Sequence, residues 1–246
     1  MRALITGASS GIGLSMAKYL DELGYDLVLV TRDKEKLNGI SFQNNVDIFC
    51  TDIGKYDNCI KLYDKYRDID ILINNAGFGL FGEFIDTDLD KEINMIDVNI
   101  CALHVLTKLY LGDMTKRDSG HILNVGSIAG FMPGPLMDAY YASKNYVVRL
   151  SQGIKEELRR KKSKVGIHVL CPGPVKTNFD NVAGVSFSLQ GMDSDYVGKY
   201  AIDSMLKGKF VIIPGFTIKL LRVISKIIPD GILLRMVYNS QKRKGG

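Results

Sequence analysis

The amino-acid sequence predicts an α/β protein with a doubly wound parallel sheet: one domain with a C-terminal helical extension. Three observations predict it. Short runs rich in Val, Ile and Leu alternate along the chain with segments of helical periodicity. Most of those runs are apolar on both faces, as strands covered by helices on both sides are. The 246 residues, 46% hydrophobic and 24% charged, suffice for a sizeable core and hold no low-complexity tract, which excludes a disordered or fibrous chain.

The elements follow in order. Strands are expected at Ala3–Thr6, Asp26–Thr31, Val46–Thr51, Ile69–Asn74, His121–Val125, Val165–Cys171 and Lys209–Ile213. Helices are expected at Gly11–Leu23, Lys55–Arg67, Leu89–Thr115, Ala139–Lys161 and Ser194–Lys207. No repeat and no Pro/Gly/Ser-rich linker intervenes, so residues 1–215 read as one domain and 216–246 as the extension. In that extension Lys219, Arg222 and Lys226 fall at i, i+3 and i+7, one stripe of a helix over Thr217–Ile228. Ile218, Leu221, Val223, Ile224, Ile227 and Ile228 cover most of the rest. Pro229-Asp230-Gly231 breaks the helix, and Ile232–Tyr238 continues it in the same style before Lys242-Arg243-Lys244.

Charge is unevenly placed. The net +5 comes from 32 basic and 27 acidic residues, but seven of the bases and one acid lie from Thr217 onward. The extension therefore carries +6 and the preceding 216 residues −1. A nucleic-acid protein would spread its basic stripe over the folded domain, so no nucleic-acid partner is expected. A basic amphipathic extension either packs on the body, as a pocket roof or subunit contact, or lies on an anionic membrane surface. Cys50, Cys59, Cys101 and Cys171 show no C-x-x-C spacing, which argues against a zinc site or redox pair and for a reducing compartment. The first strand begins almost at Met1, leaving no room for a signal peptide, and no stretch reaches ~18 uncharged apolar residues. A cytoplasmic protein, with membrane association as an option, is expected.

The first strand ends in Thr6-Gly7-Ala8-Ser9-Ser10-Gly11-Ile12-Gly13 and passes into a helix. Gly7 can take a positive φ, Gly11 lets backbone approach a pyrophosphate, and Gly13 packs helix on strand. The helix start offers unpaired N–H groups and a positive dipole end to phosphates. Gly7 to Gly11 also fits G-x-S-x-G, the nucleophile elbow of α/β-hydrolases, with Ser9 as nucleophile. That chemistry needs a histidine at a strand end. His104 is expected mid-helix, His121 opens a strand at the wrong end, and His168 lies inside one.

Thr6–Gly13, Asn74-Asn75-Ala76-Gly77, Asn99, Ser127, Tyr140-x-x-x-Lys144 and Pro172-Gly173 follow one another in order. Together they resemble the short-chain dehydrogenase/reductases, over residues 1 to about 215. The resemblance implies a single Rossmann-like domain with seven parallel strands and a nicotinamide cofactor across their carboxyl ends. It also implies a homo-oligomer, dimer or tetramer, often packed through the two longest helices.

Carbonyl reduction needs a hydride donor, a proton donor and a polariser. Tyr140 and Lys144, at i and i+4, share a helix face, and an ammonium there would stabilise a phenolate and lower its pKa. Tyr140 is thus the expected acid in reduction and base in oxidation. Ser127, after an apolar strand, can hold the substrate oxygen. The resemblance gives Asn99 a water that links the lysine to solvent, and gives Lys144 the nicotinamide ribose. It also has Asn75, Ala76 and Gly77 flank the adenosine, and Asp52, followed by Ile53, meet the adenine amine. Pro172, Gly173, Val175 and Thr177 complete the cofactor set with Gly7, Ser9, Ser10, Gly11, Ile12 and Gly13. A relative that merely senses dinucleotide often loses the Tyr, Lys or Ser while keeping the glycines, and here all three are present.

Thr31 stands where the family's NAD-type acid usually falls, and Arg32 follows, where a guanidinium can fork onto a 2′-phosphate. NADP(H) is therefore the expected cofactor, with Asp33 as a competing partner for Arg32. The substrate walls are expected from Ile128–Met137, with Phe131 and Met137, and from Pro174 to Phe179, with a lid running on to Asp195. These supply rings, Met and aliphatic groups rather than charges. A hydrophobic ketone or secondary alcohol is expected, with steroids and 3-oxoacyl thioesters both fitting.

Overall fold

The computed structural model describes residues 1–179, 183–184 and 191–242. Among them seven strands form one sheet: β1 (Arg2–Thr6), β2 (Asp26–Thr31), β3 (Val46–Cys50), β4 (Ile71–Asn74), β5 (His121–Val125), β6 (Gly166–Leu170) and β7 (Val211–Ile212). Their order is β3-β2-β1-β4-β5-β6-β7, and every pair is parallel. The expected α/β class and doubly wound parallel sheet are both present. Chain direction reverses across the sheet between β1 and β4, so a crevice opens at the carboxyl ends of these two strands, directly above the glycine turn.

The two apolar faces seen in the sequence go to two layers. Along β1, Ala3 and Ile5 pack with Met16, Leu20 and Val197, while Leu4 packs with Leu62, Leu106 and Tyr110. Successive strand residues point to opposite faces, so each strand feeds both cores. Helix α1 (Gly11–Glu22) and the helix Ser194–Leu206 cover the first face; α2 (Tyr56–Lys65) and α4 (Leu103–Arg117) lie on the second. The 23-residue α5 (Asp138–Arg160) buries Tyr140, Ser143, Lys144, Val147, Val148, Ser151 and Leu158 along one line.

Three elements differ from the pattern read in the sequence. β7 is two residues long rather than five, because Pro214 has no N–H to extend the edge and only β6 offers it partners. The expected helix Leu89–Thr115 is interrupted: α3 (Leu89–Ile96) passes through a π-helical turn, Asp97–Ala102, into α4. That turn carries Asn99, and such wide turns commonly mark functional positions. The Leu89–Arg117 segment is long and apolar enough to cross a membrane by length and composition alone, yet its Leu106, Tyr110 and Met114 sit fully inside the core. Finally, the first helix of the extension (Phe216–Ser225) ends three residues early, and a second (Asp230–Lys242) starts after Pro229.

Candidate active site

The site begins at the turn after β1. Gly7 and Gly11 have φ of 65° and 53°, a region side chains rarely adopt. Asn75, just past β4, staples the turn: its amide donates to the carbonyls of Thr6 and Gly7, 3.0 Å each, and its backbone N–H to Thr6 Oγ1. The same closeness explains Gly13. A Cβ there would stand 2.4 Å from both the Gly7 carbonyl and the Asn75 amide. Gly13→Ala is therefore expected to cost roughly 1–3 kcal/mol of stability in urea unfolding and to weaken dinucleotide binding. A variant as stable as wild type would contradict this packing.

The start of α1 suits a pyrophosphate. Ser10, its N-cap, makes no side-chain cap, and no acid occupies the first turn. The first N–H groups and the positive end of the helix thus face the crevice with no built-in anion. By contrast Asp88 caps α3 and Asp193 caps the Ser194 helix. The glycine cradle and uncapped helix start fit a dinucleotide.

From this turn a cavity of about 710 Å³ runs to the C-terminal helices. At one end it is lined by Arg32, Asp33, Lys36, Asp52 and Ile53. Asp33 does not compete for Arg32: it meets Lys36 at 3.6 Å and accepts the Glu35 N–H. Among the described residues Arg32 makes no ion pair, so its guanidinium is left to the cavity. Lys36, which sequence reasoning missed, adds a second cation; i,i+4 spacing within a short turn gave no signal for it. Asp52 is held by the Gly54 N–H at 3.0 Å.

In the middle stand Ser127, Tyr140 and Lys144. β5 ends at Val125 and delivers Ser127, whose hydroxyl accepts from Ala129 N–H and caps the short turn Ile128–Phe131. The Ser127 hydroxyl also acts on the Tyr140 phenol, favouring its ionised form. Lys144 Nζ donates to the Val125 carbonyl at 3.0 Å and lies 5.8 Å from the centre of the Tyr140 ring. Burial pushes the Tyr140 phenol well above its ordinary value, and the Ser127 hydroxyl only partly offsets it. Burial pulls Lys144 down to about 8. The structure does not show the expected lowering of Tyr140 by the ammonium; desolvation disfavours the charged form of each group.

Asn99 does not line the cavity. Its amide closes on the Phe78 backbone, accepting from N–H at 3.1 Å and donating to C=O at 2.9 Å, and donates to Ser143 Oγ. Ser143 in turn donates to the Tyr140 carbonyl. Asn99 is therefore bound to the backbone around the site. Gly77 separates it from the cavity: a Cβ there would meet Asn99 Oδ1 at 2.8 Å and Lys144 Nζ at 3.3 Å. Nearby, Asn74 ties β4 to β5 through Asn124 and to α4 through Thr107.

At the far end the walls are apolar. Met137, Phe179, Ile128 and Met132 line the cavity, with Tyr140 and Phe179 5.4 Å apart. Phe131, expected among them, is not on the wall. The turn Ile128–Phe131 swings it outward to the first C-terminal helix, where the Arg222 guanidinium covers its ring at 4.8 Å, and Met132 takes the inner position. Gly13 likewise lies behind the wall, under the turn. Gly7, Ser9, Ser10, Gly11, Ile12, Asn75, Ala76, Gly77, Pro172, Gly173, Val175 and Thr177 all line the cavity. The extension closes it with Ile218, Leu221, Ile228, Leu233, Val237 and Gln241. Gln241 is buried and donates to the hydroxyl of Tyr141, another wall residue unforeseen in the sequence. The expected lid falls largely on 180–182 and 185–190, outside the described residues, as do Arg243 and Lys244.

No histidine reaches Ser9. His104 bonds Tyr146 at 2.6 Å, and His121 and His168 face each other at 3.1 Å at the opposite end of the strands. The arrangement lacks a base for a serine nucleophile.

Comparison with known proteins agrees with this fold. The family model described as short chain dehydrogenase matches residues 1–184. An uncharacterized oxidoreductase of Staphylococcus epidermidis is 37% identical over 182 residues, 71% of this chain and 78% of that protein. A very-long-chain 3-oxoacyl-CoA reductase of Anas platyrhynchos is 34% identical over 201 residues, 75% of this chain and 63% of that one. Among solved structures, a short-chain dehydrogenase of Sphingobium yanoikuyae in complex with NADPH superposes with a TM-score of 0.81 at 28% identity, covering 93% of this chain and 96% of that one. A short-chain dehydrogenase/reductase of Burkholderia phymatum in complex with NAD gives 0.80 at 23% identity, covering 90% and 91%, a likeness of fold.

Proposed function

The chain belongs to the short-chain dehydrogenase/reductase family, oxidoreductases that bind a nicotinamide dinucleotide and act on CH–OH groups, and we propose that it is an NADP(H)-dependent enzyme interconverting a hydrophobic ketone and its secondary alcohol. One observation carries this reading. A single cavity joins an uncapped helix start and the Arg32–Lys36 cations, at one end, to an apolar chamber at the other, with Tyr140, Ser127 and Lys144 between. A nicotinamide dinucleotide held by the turn from Gly7 to Ile12 and by Arg32 would supply the hydride. Ser127 holds the substrate oxygen by its hydroxyl. Tyr140, kept protonated at neutral pH by burial, gives its proton to that oxygen in reduction. Lys144, fixed on the Val125 carbonyl, orients the Tyr140 side of the cavity and would help hold the nicotinamide cofactor. Asn99 acts as a positioning residue through Phe78 and Ser143.

The substrate follows from the walls. Met132, Met137, Phe179, Leu221 and Ile228 offer dispersion contact and no charge to a sugar or small acid. A steroid-like ketone and a 3-oxoacyl thioester both suit this chamber, and the name of the Anas platyrhynchos relative favours including the second. A homo-oligomer through Leu89–Arg117 and α5 belongs to the same reading; size-exclusion chromatography tests it.

The cofactor assignment rests on Arg32. Arg32→Ala is expected to weaken NADPH about ten- to a hundredfold and leave NADH nearly unchanged, since a charge-assisted pair is worth about 1.5–3 kcal/mol. Fluorescence titration of both cofactors measures this, and equal wild-type affinity for the two would refute NADP(H) preference. The function itself is tested by oxidation of NADPH with hydrophobic ketones, 3-oxoacyl thioesters, a sugar and an ester. Turnover confined to the first two classes supports it, whereas turnover of the sugar or ester alone rejects it.

A further inference from the structure

The helices that roof the cavity also carry an apolar ridge on their outer side. Phe216, Leu220, Val223 and Ile227 recur at i, i+4, i+7 and i+11, one line along the first C-terminal helix and the turn after it. They are 81, 48, 54 and 76% exposed. On the second helix Ile232 is exposed off the cavity, Met236 is exposed at the cavity's edge, and Leu233 and Val237 are buried. Single exposed apolar side chains are ordinary, but a continuous ridge marks an interaction surface.

Charge selects the occupant. Lys219 and Lys226 run along the same helix about a quarter-turn from the ridge, while Arg222 between them is turned onto Phe131, and the segment from Thr217 onward carries +6. A second copy of the chain would set one +6 surface against another. An anionic bilayer presents the opposite sign, takes the apolar ridge into its acyl boundary, and lets the lysine stems reach back to its headgroups. The ridge also leads into the cavity: Leu221 and Ile224, on its other flank, are partly exposed and line the cavity wall.

We propose that the two C-terminal helices dock this enzyme on an anionic lipid bilayer, so that a membrane-dissolved hydrophobic carbonyl compound enters the cavity beneath the first helix without crossing water. The docking surface stands on the ridge and its charges; the entry route rests on the proposed function of the cavity.

The test is sedimentation with vesicles. The full chain is expected to pellet with phosphatidylcholine vesicles containing phosphatidylglycerol at low salt. It is expected to stay in solution with phosphatidylcholine alone, and to be released from the mixed vesicles as salt rises. The double variant Phe216→Ser, Ile227→Ser changes only exposed side chains off the cavity wall. It should lose about tenfold or more in vesicle partitioning, since each large apolar side chain contributes strongly when buried. It should still reduce a water-soluble ketone at the wild-type rate in lipid-free buffer. Wild-type protein that fails to pellet with the anionic vesicles overturns the proposal. So does a double variant that pellets as well as wild type, or one that instead breaks an oligomer in lipid-free buffer, which would make the ridge a subunit contact. Vesicle binding by a wild-type enzyme inactive on every ketone would support the docking surface and count against the proposed function alone.

Discussion

Tyr140→Phe is expected to lower turnover by about 10²–10⁴-fold with little change in NADPH affinity, because it removes one hydroxyl from a positioned general acid. The ring stays. It packs on Phe179, and Gly79 beneath it would place a Cβ only 3.3 Å from Tyr140 Cδ2, so the phenyl ring keeps its place in the wall. With that hydroxyl lost, Ser127 faces the substrate oxygen alone. Steady-state kinetics and fluorescence titration separate the two effects. A variant retaining more than about a tenth of wild-type turnover would show that the proton comes from elsewhere.

Lys144→Met is expected to reduce both turnover and cofactor affinity, and to alter stability in the opposite sense. Burial holds Lys144 at about 8, below its ordinary 10.5, so the folded protein binds this proton less tightly than the unfolded chain does. Below pH 8 the fold bears the full cost of a buried ammonium. Between about 8 and 10.5 the unfolded chain holds more protons, so this residue makes wild-type stability rise with pH. Methionine, similar in length and uncharged, should remove that rise, leaving the variant more stable than wild type at neutral pH while nearly inactive. Urea unfolding of both proteins across the window measures it. The same value places an inflection in catalysis: kcat/KM for reduction should fall as pH rises through about 8, where the ammonium is lost. An inflection near the ordinary lysine value would contradict the buried position of this side chain.

The parts of the site held by local sequence were legible beforehand, and those held by tertiary contact were not. The turn from Thr6 to Gly13 follows a strand and opens a helix, so its glycines could be placed from spacing alone. Tyr140 and Lys144 share a helix face by arithmetic. Phe131 shows where this reasoning stops. Whether it or Met132 faces the cavity depends on the phase of a single 3₁₀ turn, fixed by the Ser127 cap and by Arg222 from a helix 91 residues later. The π turn at Asn99 has the same origin: α-helical periodicity continues through it, while the widening comes with hydrogen bonds to Phe78. Gln241 and Tyr141 meet across 100 residues, a pairing that no local pattern encodes. In the extension the amphipathic pattern was visible. The sequence could not say that its inner line would roof the cavity and its outer line remain bare.

The central claim is that this cavity moves a hydride to a hydrophobic ketone and a proton from Tyr140 to its oxygen. NADPH carrying deuterium at the transferable position of the nicotinamide, incubated with such a ketone, tests it most directly. The account predicts an alcohol with deuterium on the former carbonyl carbon, seen by NMR, formed by wild-type protein and lost at least a hundredfold in rate with Tyr140→Phe. Alcohol formed without the label, or formed equally fast by Tyr140→Phe, would contradict it.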